Sequence, residues 1–204
     1  MSMIKIDDCV ACQTFPCKDV NHQGYLIPDL TIDPLKIKLV MISESVPLDS
    51  DDYFYAGNEA AYALTTIQAF SQAGIRVKSI QDLQDLGIYF TTAIKCVKTN
   101  YVIKAETIKH CSEILARELG LFSNLLAILL MGDAAIKAIN AIARKTIGQR
   151  AIPAGSTYKI RSEEYYYQDM RLFPSYLQVG PSFGIEKSKQ RMIAEDISGA
   201  MAII

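Results

Sequence analysis

The sequence predicts an α/β protein in which helices cover both faces of a mainly parallel sheet. Three observations indicate this class. Short apolar runs of strand length alternate along the chain with longer segments of helical periodicity. Half of the 204 residues are apolar, which suffices for a large buried core. The resulting order of strand and helix, repeated three times before a last strand and helix, predicts a three-layer αβα sandwich around a four-stranded sheet.

The first strand and helix are predicted from a buried run followed by a periodic one. Residues 37–42 are apolar apart from one lysine, three of them are β-branched, and they lie between Pro34 and the polar segment 43–52. Such a run suits a parallel strand that is covered on both faces. Apolar residues then recur at helical spacing over 59–73, and Gly74 stands where a helix cap is expected.

The middle of the chain repeats this unit twice. A strand is predicted at 88–94, directly after Gly87, and a helix at 106–119. The most hydrophobic run, 125–131, is predicted to be the third strand, and the alanine-rich segment 134–143 the helix after it.

The remaining segments complete the predicted domain. Residues 153–167 are predicted to form a polar hairpin, 171–174 the last short strand and 186–203 a closing helix. Residues 1–35 show neither periodicity and are predicted to form an ordered arm of a single domain, 1–204. Ligands of such sheets bind beyond the carboxyl ends of the strands. The segments expected there are 43–54, 92–100, 132–133 and 174–183.

The charge balance excludes a general electrostatic attraction for nucleic acid or an acidic membrane. Lysine and arginine number 21 and aspartate and glutamate 22. The segment 1–8 has no basic stretch leading into an apolar run, and no window approaches a membrane span. We therefore expect a cytoplasmic, monomeric protein without a membrane partner, in a compartment where cysteines are metal ligands or redox groups rather than disulfides.

Four of the five cysteines form two pairs whose spacing suits a tetrahedral sulfur site: Cys9, Cys12, Cys96 and Cys111. We predict that these four bind one metal centre. Spacing alone leaves zinc and an iron–sulfur cluster open. Cys17 or His110 could replace one ligand, and Cys96 and Cys111 could instead be small buried hydrophobes.

Several motifs together resemble the uracil-DNA glycosylase superfamily, in its iron–sulfur branch. In chain order they are Cys9-Val-Ala-Cys12, Ile42-Ser-Glu44-Ser-Val-Pro47, Phe54, Thr92-Ala-Ile-Lys95-Cys96, Cys111, Leu130-Met131-Gly132 and Phe173-Pro174-Ser-Tyr176. The resemblance implies the fold of that superfamily and a [4Fe-4S] cluster on the four paired cysteines, with zinc as the alternative. It also implies DNA, single- or double-stranded, as partner, and hydrolysis of the N-glycosidic bond of a flipped uracil or other deaminated base in DNA repair.

The resemblance also implies roles for six residues at the strand ends. Phe54 would stack on the base and Thr92 would meet its edge, while Glu44 would orient or activate water beside Ser45. Ser43 and Pro47 would belong to the loop that binds substrate.

The sequence departs from the family pattern where the base is bound. Thr92 stands where the family has an asparagine, and no histidine follows His110. Leu177-Gln178, or Gly180-Pro181 after an insertion, occupies the place of the family's histidine–proline pair. Loss of such a donor costs a factor of roughly 10² to 10³ in rate.

Two other classes of function fit the same sequence. The protein could be a catalytically inactive iron–sulfur protein that binds nucleic acid, or a zinc-stabilised domain that binds a small ligand. In those cases Phe54 packs on the core, Glu44 caps a turn, Thr92 is an ordinary strand residue and 165–167 is an edge strand.

Overall fold

The N-terminal arm is folded by short antiparallel pairings. The computed structural model describes residues 3–184 and 186–204, so the first two residues of the predicted arm lie outside the described part. Strand β1 (Ile4–Lys5) leads into helix α1 (Ile6–Cys9), and β2 (Val20–Asn21) and β3 (Thr31–Ile32) follow. β1 pairs with β3, which closes the arm on itself.

Five strands form the central sheet, and a sixth short strand ties the arm to it. In chain order they are β4 (Leu39–Ser45), β5 (Ile88–Ile94), β6 (Val97–Lys98), β7 (Ala127–Met131), β8 (Tyr165–Tyr167) and β9 (Met170–Ser175). The sheet order is β5-β4-β7-β9-β8, and β6 pairs with β2 of the arm. β4, β5, β7 and β9 run parallel, whereas β8 is an antiparallel edge.

Helices cover both faces of the sheet. In chain order they are α2 (Ala61–Gln72), α3 (Ile80–Asp85), α4 (Ala105–Leu119), α5 (Asp133–Ile147), α6 (Thr157–Ile160) and α7 (Lys187–Met201). α4 and α5 pack on the face that carries Val40 and Ile42. α2, α3 and α7 pack on the opposite face, with Leu39 and Met41. Alternate residues of β4 therefore enter two separate cores, which confirms the predicted α/β class with helices flanking a mostly parallel sheet.

Two details of the sequence prediction were wrong. The sheet has five strands rather than four, because 165–167 pairs with β9 in a hairpin. The segment 153–167 is not itself a hairpin, since α6 forms within it. Every helix in residues 3–184 and 186–204 is too short or too polar to cross a membrane.

The side chain of one tyrosine makes hydrogen bonds to the outer edge of β5. The hydroxyl of Tyr55 accepts a hydrogen bond from the backbone N–H of Phe90 (2.8 Å) and donates one to the carbonyl oxygen of the same residue (3.1 Å). The phenol thus occupies both backbone groups of Phe90, as a neighbouring strand would.

The chain order creates a crevice at one edge of the sheet. From β4 the chain moves to β5 on one side and afterwards to β7 on the other. Crossovers that leave a strand in opposite directions open a gap beyond its carboxyl end. In this protein the gap lies between the ends of β4 and β7.

Candidate functional site

The five cysteines lie in three separate parts of the fold. Cys96 follows β5 after one intervening residue and Cys111 lies on α4, and both are buried. Cys12 and Cys17 are half-buried in the arm. Cys9, the last residue of α1, is exposed.

Hydrogen bonds hold the arm cysteines against the sheet edge. The His22 ring has Nε2 at 2.7 Å from the carbonyl oxygen of Cys17 and Nδ1 at 3.5 Å from the Sγ of Cys96. The hydroxyl of Tyr25 accepts a hydrogen bond from the backbone N–H of Cys12 (2.7 Å). His22 therefore connects Cys17 to Cys96 across 79 positions of the chain.

The thiols share a small space and influence one another. Cys12, Cys17 and Cys111 line a cavity of about 150 Å³, together with His110. Burial is the largest cause that raises the pKa of Cys96 to about 12, and the neighbouring thiols of Cys111, Cys12 and Cys17 contribute to this rise. Burial likewise raises the pKa of Cys111 to about 11 and that of Cys17 above its ordinary value. Near neutral pH Cys96 and Cys111 are neutral thiols that a metal must deprotonate.

Zinc and a [4Fe-4S] cluster require different distances between the thiol sulfurs. Among residues 3–184 and 186–204, no group of three or more Cys, His, Asp or Glu side chains is arranged to hold a metal ion. Four sulfurs on one zinc ion lie 2.3 Å from the metal and hence about 3.8 Å from each other. In a [4Fe-4S] cluster each thiolate binds a different iron, which places the sulfurs farther apart. Within the described residues the thiols form neither arrangement, so a metal centre on them stays a prediction.

A buried ion pair lies beneath the cysteines, and sequence reasoning missed half of it. Lys95 Nζ lies 2.5 Å from Glu118 Oε2, and both side chains are almost completely buried. Thr91 and Tyr89 donate to Glu118 Oε1 at 2.8 and 2.6 Å. The network joins β5 to α4, the two elements that carry Cys96 and Cys111. Its one sequence signal was a glutamate on the otherwise apolar face of α4.

Asp19 is a second residue that the sequence analysis missed. Its carboxylate accepts hydrogen bonds from the backbone N–H of Lys104 (2.7 Å) and from the Thr107 hydroxyl. The Thr99 hydroxyl donates to its carbonyl oxygen (2.9 Å). Asp19 therefore fixes the arm to the start of α4.

The crevice between β4 and β7 contains Glu44. Its side chain is 22% exposed, and Oε2 lies 3.4 Å from Lys98 Nζ. Gly132, at the end of β7, adopts φ +96° and approaches the carboxylate closely. A Cβ on Gly132 would stand 2.8 Å from Glu44 Oε1, so the glycine makes room for the carboxylate.

Two predicted site residues beside Glu44 are buried in β4. Ser43 is fully buried, and its hydroxyl has no hydrogen-bond partner among the residues that the structure describes. The carbonyl oxygen of Ser45 accepts a hydrogen bond from the Tyr62 hydroxyl (3.3 Å).

A cleft of about 650 Å³ opens next to this loop. The loop after β4 lines it with residues 46–50, and the arm lines it with residue 21 and residues 23–26. Val97 completes the lining, so the cleft lies between the arm and this loop. Pro47, a predicted substrate-binding residue, is among the residues that line this cleft. Tyr25, which contacts Cys12, lines it from the arm side, so the cleft and the cysteine region are neighbours.

Phe54 and Thr92 are engaged within the protein. Phe54 is 1% exposed and stacks on Phe90 with ring centroids 5.1 Å apart, while Tyr62 meets it edge-on at 5.2 Å. Thr92 is fully buried, and its hydroxyl donates to the carbonyl oxygen of Ile94 (2.9 Å). The structure therefore places neither side chain on the surface of the cleft, and their roles stay predictions.

Gln178 lies in the loop after β9, and its side-chain amide is buried without a hydrogen-bond partner among the described residues. It is fully buried, and neither its Oε1 nor its Nε2 has a partner within the described part of the chain. The loop is fixed on both sides of it: the carbonyl of Ser175 accepts from the backbone N–H of Gly132 (3.0 Å), and the N–H of Gly180 donates to Thr65 (3.2 Å). Within the described residues no hydrogen bond thus fixes the Gln178 side chain, which belongs to one of the two pairs, Leu177-Gln178 and Gly180-Pro181, that could occupy the place of the family's histidine–proline pair.

Comparison with models of known protein families gives no match, and a search of curated proteins finds no relative. The resemblance to the uracil-DNA glycosylase superfamily therefore rests on the motifs of the chain itself.

Proposed function

We propose that the protein is a uracil-DNA glycosylase-like enzyme of the iron–sulfur branch, with the fold of that superfamily. It hydrolyses the N-glycosidic bond of a flipped uracil or other deaminated base in DNA. The observation that carries the proposal is the position of Glu44, a partly exposed carboxylate at the point where the strand order reverses. The same residue matches the glutamate of the family's first motif.

Glu44 acts on the water in this reaction. As the bond between C1′ and the base breaks, the electron pair leaves with the base and the sugar becomes oxocarbenium-like. Glu44 accepts a hydrogen bond from the attacking water, takes its proton as the C1′–O bond forms, and passes that proton to the departing base. Lys98 holds the carboxylate in place, and the absence of a histidine donor keeps the reaction slow.

The cleft beside the loop 46–50 has the size to receive the nucleoside. Its volume of about 650 Å³ lies within the range of small-ligand sites, roughly 300 to 1,000 Å³. Pro47 forms part of the wall. Phe54 and Thr92 are buried and do not line this cleft, so the base reaches them only if the loop 46–50 moves.

The metal centre has an architectural role in the proposal. Cys12, Cys96 and Cys111 hold a [4Fe-4S] cluster, and the position of Cys17 favours it over Cys9 as the fourth ligand. A bound cluster would supply a covalent crosslink from the arm to β5 and α4. The arm residues then keep their place as one wall of the cleft.

The test is single-turnover excision by anaerobically purified protein on oligonucleotides that contain uracil, hypoxanthine or xanthine. We expect excision of at least one base, lowered at least about a hundredfold by Glu44→Gln. The exposed Glu163→Gln is the matched control and should leave the rate unchanged. Excision that survives Glu44→Gln would refute the assignment of Glu44.

A second candidate is an iron–sulfur protein that binds nucleic acid without hydrolysis. The closed environment of Phe54 and Thr92 favours it, because both groups are already satisfied by the protein. Binding of the uracil oligonucleotide by cluster-loaded protein, without release of any base, would decide for this candidate.

A further inference from the structure

An exposed aromatic residue stands on the loop between β6 and α4. Tyr101 is 94% exposed and its neighbour Val102 70% exposed. Lys98 Nζ lies 5.9 Å from the centroid of the Tyr101 ring. An aromatic ring with its surface open to solvent and a cation at its side offers a face on which an unpaired base can stack.

A second pair of the same kind comes from the other side of the sheet edge. Lys189, in the first turn of α7, has Nζ 5.5 Å from the centroid of the Tyr176 ring. A hydrogen bond to Glu186 is the main cause that raises the pKa of Lys189, and Tyr176 and Tyr101 add smaller contributions. Lys98 contacts Glu44 at the end of β4 and Tyr176 follows the end of β9, so both pairs lie at the carboxyl edge of the sheet. We call Lys98, Tyr101, Tyr176 and Lys189 the aromatic–lysine rim.

The rim begins at the crevice. Lys98 contacts Glu44 at its inner end, and Tyr176 directly follows Ser175, the last residue of β9. The rim thus leads from the end of β4 outward over the carboxyl edge of the sheet.

The rim combines two features that fit one class of partner. Rings with exposed faces can stack on unpaired bases, and ammonium groups between them can contact the phosphates. Lys104, at the end of the same loop, is exposed and adds positive charge. The acidic neighbours Glu44 and Glu186 are each paired with a rim lysine. Because the whole chain carries a net charge of −1, attraction for a polyanion has to be local.

We propose that the aromatic–lysine rim binds a single-stranded nucleic acid, with one base stacked on Tyr101 and phosphates at Lys98 and Lys189. The inference deepens the proposed function and rests on it in one respect, namely that the bound strand leads into the Glu44 crevice.

The experiment measures fluorescence anisotropy of a labelled, undamaged oligothymidine of about 16 nucleotides with the full-length protein. Tyr101→Ala should weaken binding about tenfold, whereas Tyr101→Phe should bind like the wild type. Tyr158→Ala is the matched control, because Tyr158 is 70% exposed on α6. Circular dichroism and thermal melting of each variant verify folding.

A second measurement tests the phosphate contacts. Lys189→Gln should lower the slope of log affinity against log salt by about 0.7, the value for one single-strand phosphate contact. Lys36→Gln, an exposed lysine just before β4 at the opposite edge of the sheet, should leave the slope unchanged.

The outcomes separate this inference from the proposed function. Lack of binding to the oligothymidine, or equal losses in Tyr101→Ala and Tyr158→Ala, would overturn the rim as a binding surface. Because the probe has no damaged base, its binding is independent of excision. Binding that depends on Tyr101, without excision of any base, would support the rim and reject the proposed glycosylase activity. Excision that is unchanged in Tyr101→Ala would support the activity and reject the rim.

Discussion

The cysteine region and the Glu44 crevice lie at the same sheet edge but differ in how accessible their predicted functional groups are. Burial is the largest cause that raises the pKa of the Cys96 and Cys111 thiols, and the nearby Lys95 offsets it only in part for Cys111. Near the crevice, Thr92 and Phe54 are buried and engaged by neighbouring groups of the protein. Cys12 and Cys17 line a cavity that a ligand can enter, whereas Phe54 and Thr92 are closed to solvent.

Burial alone does not assign a function in either region. Cys96 and Cys111 belong to the apolar core, where small side chains pack, so their role as metal ligands stays a prediction. A phenylalanine that stacks on Phe90 likewise has a structural reason to be where it is. Substitutions in both regions separate packing from binding.

The largest effect is expected at the arm cysteines. Cys17→Ser should abolish bound iron, because Cys17 lines the shared cavity and is linked to Cys96 through His22. Cys9→Ser should retain the full amount of bound iron and sulfide, since the Cys9 thiol is exposed. Iron and sulfide analysis with the visible absorption spectrum measures both variants. The opposite pattern would assign the fourth position to Cys9.

The buried ion pair should be the next most sensitive feature. Lys95→Met leaves the Glu118 carboxylate buried and without its cation, which costs about 3–5 kcal/mol of unfolding free energy. Urea unfolding of the metal-free protein measures the loss. Lys137→Met is the control, because the pair of Lys137 with Asp133 is exposed and should matter little. Similar losses in the two variants would show that Lys95 and Glu118 are not held as a buried pair.

Phe54 distinguishes a core residue from a binding face. Phe54→Leu should lower the unfolding free energy by about 1–2 kcal/mol, because the ring fills space between Phe90 and Tyr62. Thermal and urea unfolding without DNA measure this. A variant that is as stable as the wild type yet binds DNA less tightly would instead make Phe54 a binding face.

Asp196 provides a pH-dependent effect on the crevice side. Its carboxylate accepts hydrogen bonds from Ser175 at the end of β9 (2.6 Å) and from Arg161 (2.7 Å). Burial is the largest influence and raises the pKa of Asp196 above 3.8, against the effect of these partners. A raised folded-state pKa contributes stability at low pH that is lost as the pH rises through it.

Asp196→Asn removes this titration together with a charged hydrogen bond. The substitution should cost about 1–3 kcal/mol, and the cost should be greater near pH 4 than at pH 7. Urea unfolding of both proteins across that range gives the difference. A cost that grows towards pH 7 would show that Arg161, and not burial, dominates the carboxylate.

The sequence predicted the buried elements best. The strand 88–94 matches β5 residue for residue, because five of its seven residues are apolar and the run has clear ends. The strand predicted at 125–131 begins at Ala127 instead, although Leu126 already makes backbone hydrogen bonds with Lys38 (2.8 Å) and Arg171 (2.9 Å). The edge strand at 165–167 is confirmed as β8, but its place as a fifth strand of the central sheet depends on its pairing with β9.

The site was less predictable because it depends on contacts between distant segments. Spacing cannot tell which arm cysteine faces Cys96, since that follows from the contacts of His22 and Asp19. A glutamate on a helix reads as solvent-exposed, and only the fold shows that Glu118 meets Lys95. The position of Glu44 at the sheet edge was predictable because it follows a buried apolar run, whereas its role stays a prediction.

The tyrosine hydroxyl on the outer strand also bears on solubility. An unpaired strand at the edge of a sheet is a template on which a second chain can add its own strand, and repeated addition leads to aggregates. Tyr55 occupies the donor and the acceptor of Phe90, in the middle of β5, so an incoming strand would find its register interrupted there. One phenol oxygen thus protects a seven-residue edge against self-association.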